Sequence, residues 1–309
     1  MSESSTGTAV ARSIEVHGIT LRYHEFGSGR PLIWLHGGGP GASGMTSYGR
    51  TLGAFEDHRN LVFDLPGFGE SDKPRSTDPL IDSGARQLAA ALRALGCERA
   101  RLIGNSLGGG IAAKIAIDEP NLVDALVLLG SAGVVPPGER ALPEGLALLL
   151  RDLIEGSTPA DVERFVRAAV YDSAWDRSEL VEQRYLASLE PGVRAAAGVP
   201  PIVDRLVRLG VPIGALLSAG PVQRLALRLL VARLGDLSGE LGRVRARTLL
   251  LWGREDRFVP LEWGLALERG IPDAMLTVRP HCGHWPHLEH PEWFTATVRE
   301  FLGDQERAA

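Results

Sequence analysis

Residues 104–108 read GNSLG, with the apolar run ARLIG at 100–104 leading into the serine and the helical pattern SLGGGIAAKIAIDEP starting from it. A serine placed between a buried strand and a helix, with a glycine two residues away on each side, requires a sharp, strained turn. In such a turn strand and helix approach closely and the hydroxyl projects from the end of the strand. A strand apolar along its whole length is covered on both faces, which is the setting of a parallel sheet with helices on either side.

The rest of the chain repeats that rhythm. Runs at 13–16 and 20–26 read as a hairpin turning at His17 and Gly18, followed by PLIWL at 31–35 and LVFDL at 61–65. Residues 78–96 have helical apolar spacing closed by Gly96, and ALVLLG at 125–130 is another buried strand. From about 136 to 240 the pattern turns helical and irregular, with proline pairs at 136–137 and 200–201 and no convincing strand. Strands resume with RTLLLWG at 247–253 and AMLTVRP at 274–280, and PEWFTATVREFL forms a terminal helix. Residues 1–135 and 240–309 therefore read as one core domain, and 136–239 as a helical lid over the C-terminal edge of the sheet, where open α/β sheets bind ligands.

At 309 residues and 44% hydrophobic content the chain can bury such a core. A net charge of −5 leaves no concentrated basic face for nucleic acid, so a small molecule is the expected partner. Residues 194–247 depart locally, with nine arginines against Asp204, Asp236 and Glu240. The stretch 222–234 is read as a lid helix laying its leucines on the core, with a membrane-surface helix as the alternative. Two cysteines, Cys97 and Cys282, give neither a disulfide framework nor a metal-ligand spacing. The N-terminal residues read as a polar tail with no signal peptide, no membrane span is apparent, and a cytoplasmic protein is expected.

A serine hydroxyl is a weak nucleophile at neutral pH and needs a histidine base oriented by a carboxylate, here in the chain order Ser, Asp, His. Asp256 in WGREDRFVP follows the strand at 247–252, and His284 in HCGHWP follows the strand at 274–279, so both fall at the same sheet edge as Ser106. Glu255 competes with Asp256. His281, His287 and His290 compete with His284, but Pro286, Pro291 and Gly283 break the spacing a metal site would need, and these three read as surface or capping residues. No cofactor or metal is implied, since side chains and backbone fill every catalytic role.

The glycine run HGGGPGA at 36–42 follows the strand at 31–35 and can bring backbone N–H groups to a developing oxyanion. One donor is assigned to Gly38 and the other to Leu107, the residue after the nucleophile. The run matches no phosphate-binding pattern. Asp64, in DLPGFGESDKP, also follows a strand but is not at the elbow, and its loop reads as a rigid turn.

Together these motifs resemble the meta-cleavage product hydrolases, enzymes of the α/β-hydrolase fold that cut carbon–carbon bonds in dienoic keto acids from aromatic degradation. The resemblance rests on HGGGPGA, on GNSLGG with Asn105 before the nucleophile, on WGREDRFVP, on CGHW with Trp285 after the base, and on DRSELVEQRY at 176–185. It implies a mostly parallel eight-stranded sheet with helices on both faces and a helical lid insertion. It further implies a substrate site including Gly39, Asn105, Arg184 and Trp285, with Arg184 holding the substrate carboxylate, and a homodimer or larger homo-oligomer. Leu107 stands where many members have Met, Ser47 where an Asn is expected, and the lid between about 199 and 235 is longer and richer in Leu and Arg. A carboxylic ester or lactone hydrolase using the same triad remains the alternative, and a non-catalytic binder is the third reading. A serine-directed fluorophosphonate separates the last from the other two.

Overall fold

The computed structural model describes residues 9–74, 76–139, 141–172, 176–190 and 220–303. The expected N-terminal tail and residues 191–219, with Pro200, Pro201, Arg194, Arg205 and Arg208, lie outside them. Eight strands form one sheet: β1 (Val10–Val16), β2 (Ile19–Phe26), β3 (Arg30–Leu35), β4 (His58–Phe63), β5 (Ala100–Asn105), β6 (Val123–Leu129), β7 (Arg247–Gly253) and β8 (Ala274–Arg279). Their order is β1-β2-β4-β3-β5-β6-β7-β8. The β1–β2 and β2–β4 pairs are antiparallel, and every other pair is parallel. The opening hairpin turns at His17 and Gly18, whose φ values of 50 and 77 are both positive, as a two-residue turn matched to strand twist requires.

Helices α1 (Gly44–Tyr48), α2 (Leu80–Ala94), α3 (Leu107–Asp118), α4 (Glu144–Glu155), α5 (Pro159–Ala169), α6 (Ser178–Ser188), α7 (Gly220–Leu234), α8 (Leu261–Gly270), α9 (Pro286–Glu289) and α10 (Pro291–Gly303) complete the described fold. Alternation along each strand divides the core. On β3, Leu32 and Trp34 join Tyr48, Phe55 and Phe294 on one face, whereas Ile33 and Leu35 join Leu88, Ile111 and Leu250 on the other. The chain runs from β3 out to β4 and back to β5 on the opposite side of β3. The loops after β3 and β5 therefore diverge at a switch point, which opens a crevice at the C-terminal edge.

Between β6 and β7 the described residues form helices and a 3-10 turn at Leu241–Arg243, with no strand. Helix α5 begins with a capping box between Thr158 and Asp161, with Pro159 at its first turn. Helix α7 buries Leu227 and Leu230, leaves Leu225 and Leu229 exposed, and ties to the core through Arg233, which donates to the carbonyls of Ser76 (3.0 Å) and Asp78 (2.7 Å). No described helix is long and apolar enough to cross a membrane.

One strand sits earlier than its apolar run implies. β4 ends at Phe63, because the Asp64 carboxylate accepts from Gly44 N (2.8 Å) and Glu70 N (2.9 Å) and turns the chain out of the ladder. That buried carboxylate braces a loop, as the sequence implied.

Candidate active site

Ser106 has φ 53 and ψ −117, a left-handed conformation rare for any residue with a Cβ. It is held there from both sides: Ser106 N donates to Leu129 O at 2.9 Å, and Ser106 O accepts from Gly110 N at 3.1 Å and Ala132 N at 2.9 Å. The flanking glycines allow the close packing this needs. A Cβ on Gly104 would meet Gly108's backbone, and one on Gly108 would meet the Leu35 and His36 carbonyls, all inside van der Waals contact. Leu107 is the first residue of α3, so its N–H belongs to the helical turn whose donors have no intrahelical partner.

The structure brings Asp256 and His284 together. His284 Nδ1 lies 2.7 Å from Asp256 Oδ2, while Asp256 Oδ1 accepts from the backbone N–H of Phe258 (2.8 Å) and Val259 (2.9 Å). Two donors on one oxygen fix the carboxylate and aim the other at the ring. As a pure acceptor it places the proton on Nδ1 and leaves Nε2 with a free lone pair. Phe258 stacks on the imidazole, with centroids 4.9 Å apart and planes 16° from parallel. Glu255 takes a different part, accepting from Cys282 N at 3.0 Å and so bracing the base-bearing loop.

The other histidines of that loop separate. His281 is exposed with φ 56, and its carbonyl lies 2.8 Å from His290 Nε2. His287 is not a surface or capping residue: it is only 1% exposed, with ring centroids 5.0 Å from Tyr48 and 6.0 Å from Phe294. Pro286 starts the short helix α9 directly after Trp285, and that turn rotates His287 inward. Burial lowers its pKa to about 3, so the ring is neutral.

The glycine loop is shaped from below by His36. Its Nε2 accepts from Leu65 N at 3.0 Å, which puts the proton on Nδ1 and makes the 2.7 Å contact to Gly37 O a donated bond. Burial holds this histidine at about 4. From above, the loop carries the helices between β6 and β7. Gly39, at φ 112, lies under the Phe165 ring, and Gly41, at φ 58, lies under the backbone carbonyl of Arg184, with no room for a Cβ at either position.

Arg184 on α6 is 3% exposed, and its Nε and Nη2 have no hydrogen-bond partner. The guanidinium carbon sits 5.6 Å from the Phe165 ring centroid and 5.2 Å from that of Trp285. Burial pushes its pKa down to about 10, and the nearby Asp152 carboxylate pulls it up; at neutral pH it is a cation in an aromatic cage. Asn105 donates from Nδ2 to Leu129 O (3.0 Å) and His284 O (3.3 Å), linking elbow to base loop. Sequence reasoning missed Phe165, Phe258 and Glu289. Phe165 stands in no motif, Phe258 lies within WGREDRFVP but draws no notice beside its carboxylates, and Glu289 shows its part only once α9 brings it back to the base loop.

The family model for the alpha/beta hydrolase fold matches residues 31–291. The chain is 34% identical to a 2-hydroxy-6-oxononadienedioate/2-hydroxy-6-oxononatrienedioate hydrolase of Paraburkholderia phymatum, over 98% of this chain and 100% of that protein. It is 32% identical to a 2-hydroxy-6-oxo-6-phenylhexa-2,4-dienoate hydrolase of Burkholderia cepacia, over 98% of this chain and 99% of that protein. Among solved structures, a meta-cleavage product hydrolase from Pseudomonas fluorescens superposes with a TM-score of 0.77 at 29% identity, covering 95% of this chain and 98% of that one. With Ser106 at the turn from β5 into α3, and His284 paired to Asp256 on the loops after β8 and β7, the chain belongs to the α/β-hydrolase family, and within it to the meta-cleavage product hydrolases.

Proposed function

We propose that this enzyme adds water across a carbon–carbon bond of a 2-hydroxy-6-oxo-dienoate-type acid, with Ser106 as nucleophile, His284 as base and Asp256 as its orienting acid. Residues 136–239 form the lid over a core of residues 1–135 and 240–309. The observation that carries the substrate class is Arg184: a buried cation with unpartnered N–H groups is costly unless an anion completes it. A planar guanidinium matches a carboxylate in a two-point contact, and a neutral ester would leave it unpaired.

In this reading the substrate carboxylate docks on Arg184, and the ketonised chain lies past Gly39 and Trp285 toward Ser106, whose neighbour Asn105 braces the turn. Attack at the 6-oxo carbon, assisted by His284 Nε2, generates an oxyanion received by the N–H groups of Gly38 and Leu107. Collapse breaks the bond to the adjacent carbon. Its electron pair passes into the dienoate fragment, which takes up the proton His284 removed from Ser106, and the acyl group stays on Ser106 Oγ. Water, deprotonated by His284, then attacks that ester, the Ser106–acyl bond breaks as its oxygen is reprotonated, and the acyl fragment leaves as a carboxylic acid. The same reading makes the enzyme a cytoplasmic homodimer or larger homo-oligomer, in keeping with two cysteines that are free and buried. Turnover of 2-hydroxy-6-oxo-6-phenylhexa-2,4-dienoate compared with para-nitrophenyl acetate tests it. A far higher kcat/KM on the dienoate is expected, and robust ester turnover with no carbon–carbon cleavage would overturn the proposal.

A further inference from the structure

The base-bearing loop is tied to the lid as well as to the core. His284 N donates to Ala169 O, the last residue of α5, at 2.7 Å. Gly283 packs so closely on Ala169 and Val170 that a Cβ would meet their backbone. Glu289 closes the connection: its Oε1 accepts from Gly283 N at 2.8 Å in the base loop, and its Oε2 accepts from Tyr171 N at 2.6 Å, just beyond α5. Only a carboxylate offers an acceptor to both N–H groups at once; a carboxamide would turn an NH2 toward one of them.

Helix α5 touches the remainder of the site as well. Phe165 lies 4.9 Å from the Phe258 ring that stacks on His284, and 6.2 Å from Trp285, and it forms one wall of the Arg184 cage. One rigid helix therefore contacts the carboxylate-binding arginine at its middle and the base at its end.

We infer that Glu289 is a positioning residue that latches lid helix α5 to the loop carrying His284, so that lid and base move as one body and the base is aligned only while the latch holds. The inference rests on reading His284 as the general base. Its effect falls on the chemical step, because the N–H groups Glu289 accepts belong to the loop carrying His284 and to the chain just beyond α5.

The test uses Tyr171→Pro, which deletes the N–H that Glu289 Oε2 accepts at 2.6 Å, leaves the neighbouring Asp172 N–H as a second lid-side donor, and keeps Glu289 and Gly283 intact. Val170, at φ −114 and ψ 152, already has the extended backbone that a residue before proline adopts. Tyr171→Ala is the control, since it keeps the N–H and removes only the ring that lies 5.2 Å from His281. With para-nitrophenyl acetate, Tyr171→Pro and Glu289→Gln should each lower kcat about ten-fold, the size of one lost charge-assisted hydrogen bond, with KM within about two-fold. Fluorophosphonate labelling of Ser106 should slow in parallel, and Tyr171→Ala should match the parent. A Tyr171→Pro enzyme with parental kcat and labelling rate overturns the latch, whatever Glu289→Gln does. Should Tyr171→Pro not fold, Glu289→Gln decides by the same split: raised KM with unchanged kcat overturns the inference. His284→Ala is run alongside, because undiminished labelling there would refute the base assignment and not the latch.

Discussion

Arg184→Met separates a binding role from a structural one because it moves stability and activity in opposite directions. Burial has taken the guanidinium from its ordinary 12.5 to about 10. At ~1.36 kcal/mol per unit, that shift corresponds to ~3 kcal/mol of unfavourable charge burial in the empty site. Methionine fills a similar volume without a charge, and the change sacrifices two cation–aromatic contacts worth ~0.5–1 kcal/mol each. The variant should therefore be more stable than the parent by ~1–2 kcal/mol in urea unfolding. Losing the hydrogen bonds to a substrate carboxylate, at ~1.5–3 kcal/mol, should lower kcat/KM on a dienoic acid by about one to two orders of magnitude. On para-nitrophenyl acetate the rate should be nearly unchanged. A variant destabilised by more than ~1 kcal/mol, or one losing both activities equally, would show that Arg184 holds the lid together and does not await an anion.

Three further outcomes follow from the geometry. Ser106→Gly should abolish turnover and raise the unfolding midpoint, because a residue at φ 53 and ψ −117 relaxes when its Cβ is removed; a net gain of ~1 kcal/mol is expected after the entropy of glycine is included. Asp256→Asn should cost on the order of 10³ to 10⁴ in kcat, with Glu255→Gln much milder, since only Asp256 sets the tautomer of His284; the reverse ranking in steady-state assays would reassign the acid. His36 and His287, held at about 4 and about 3 against an ordinary 6.5, bind protons in the unfolded chain before the folded one as pH falls. Stability should be full above pH ~6.5 and decline below it, and His287→Leu should reduce the slope of unfolding free energy between pH ~6 and ~4 by up to ~1.36 kcal/mol per unit.

The features that were legible in the sequence are those where chemistry and backbone coincide within a few residues. The elbow declares itself because Gly104, Ser106 and Gly108 must lie together for a strand to turn into a helix, and Asp256 and His284 because each directly follows an apolar strand. What stayed hidden depends on contacts across large separations. Glu289 lies five residues after His284 in the chain, but its second oxygen reaches Tyr171 across 118 positions, and no local pattern encodes that bond. His287 misled for a related reason: a histidine between a proline and a leucine looks solvated until α9 turns it against Tyr48, whose own burial is set by β3 and α1. The sequence favours Asp256 over Glu255, but the part Glu255 plays at Cys282 N is not legible there, since adjacent carboxylates on one loop differ in the direction each side chain takes.

Gly39 and Gly41 give the crevice a floor of bare backbone, with the Phe165 ring resting on one and the carbonyl of Arg184 on the other. The clearance between core and lid is thus a fixed tolerance at Gly41, where backbone meets backbone, while at Gly39 the Phe165 ring sets it. A single methyl group at position 41 would act as a shim under α6, lifting the Arg184 guanidinium with it and, on the proposed function, lengthening the span between the carboxylate site and Ser106. Changes in substrate range are therefore cheaper at side chains such as Phe258, which lies on the His284 ring and whose volume can be exchanged without altering that gauge. A redesign that alters the floor would change which bond is presented to Ser106 before it changed which substrate fits.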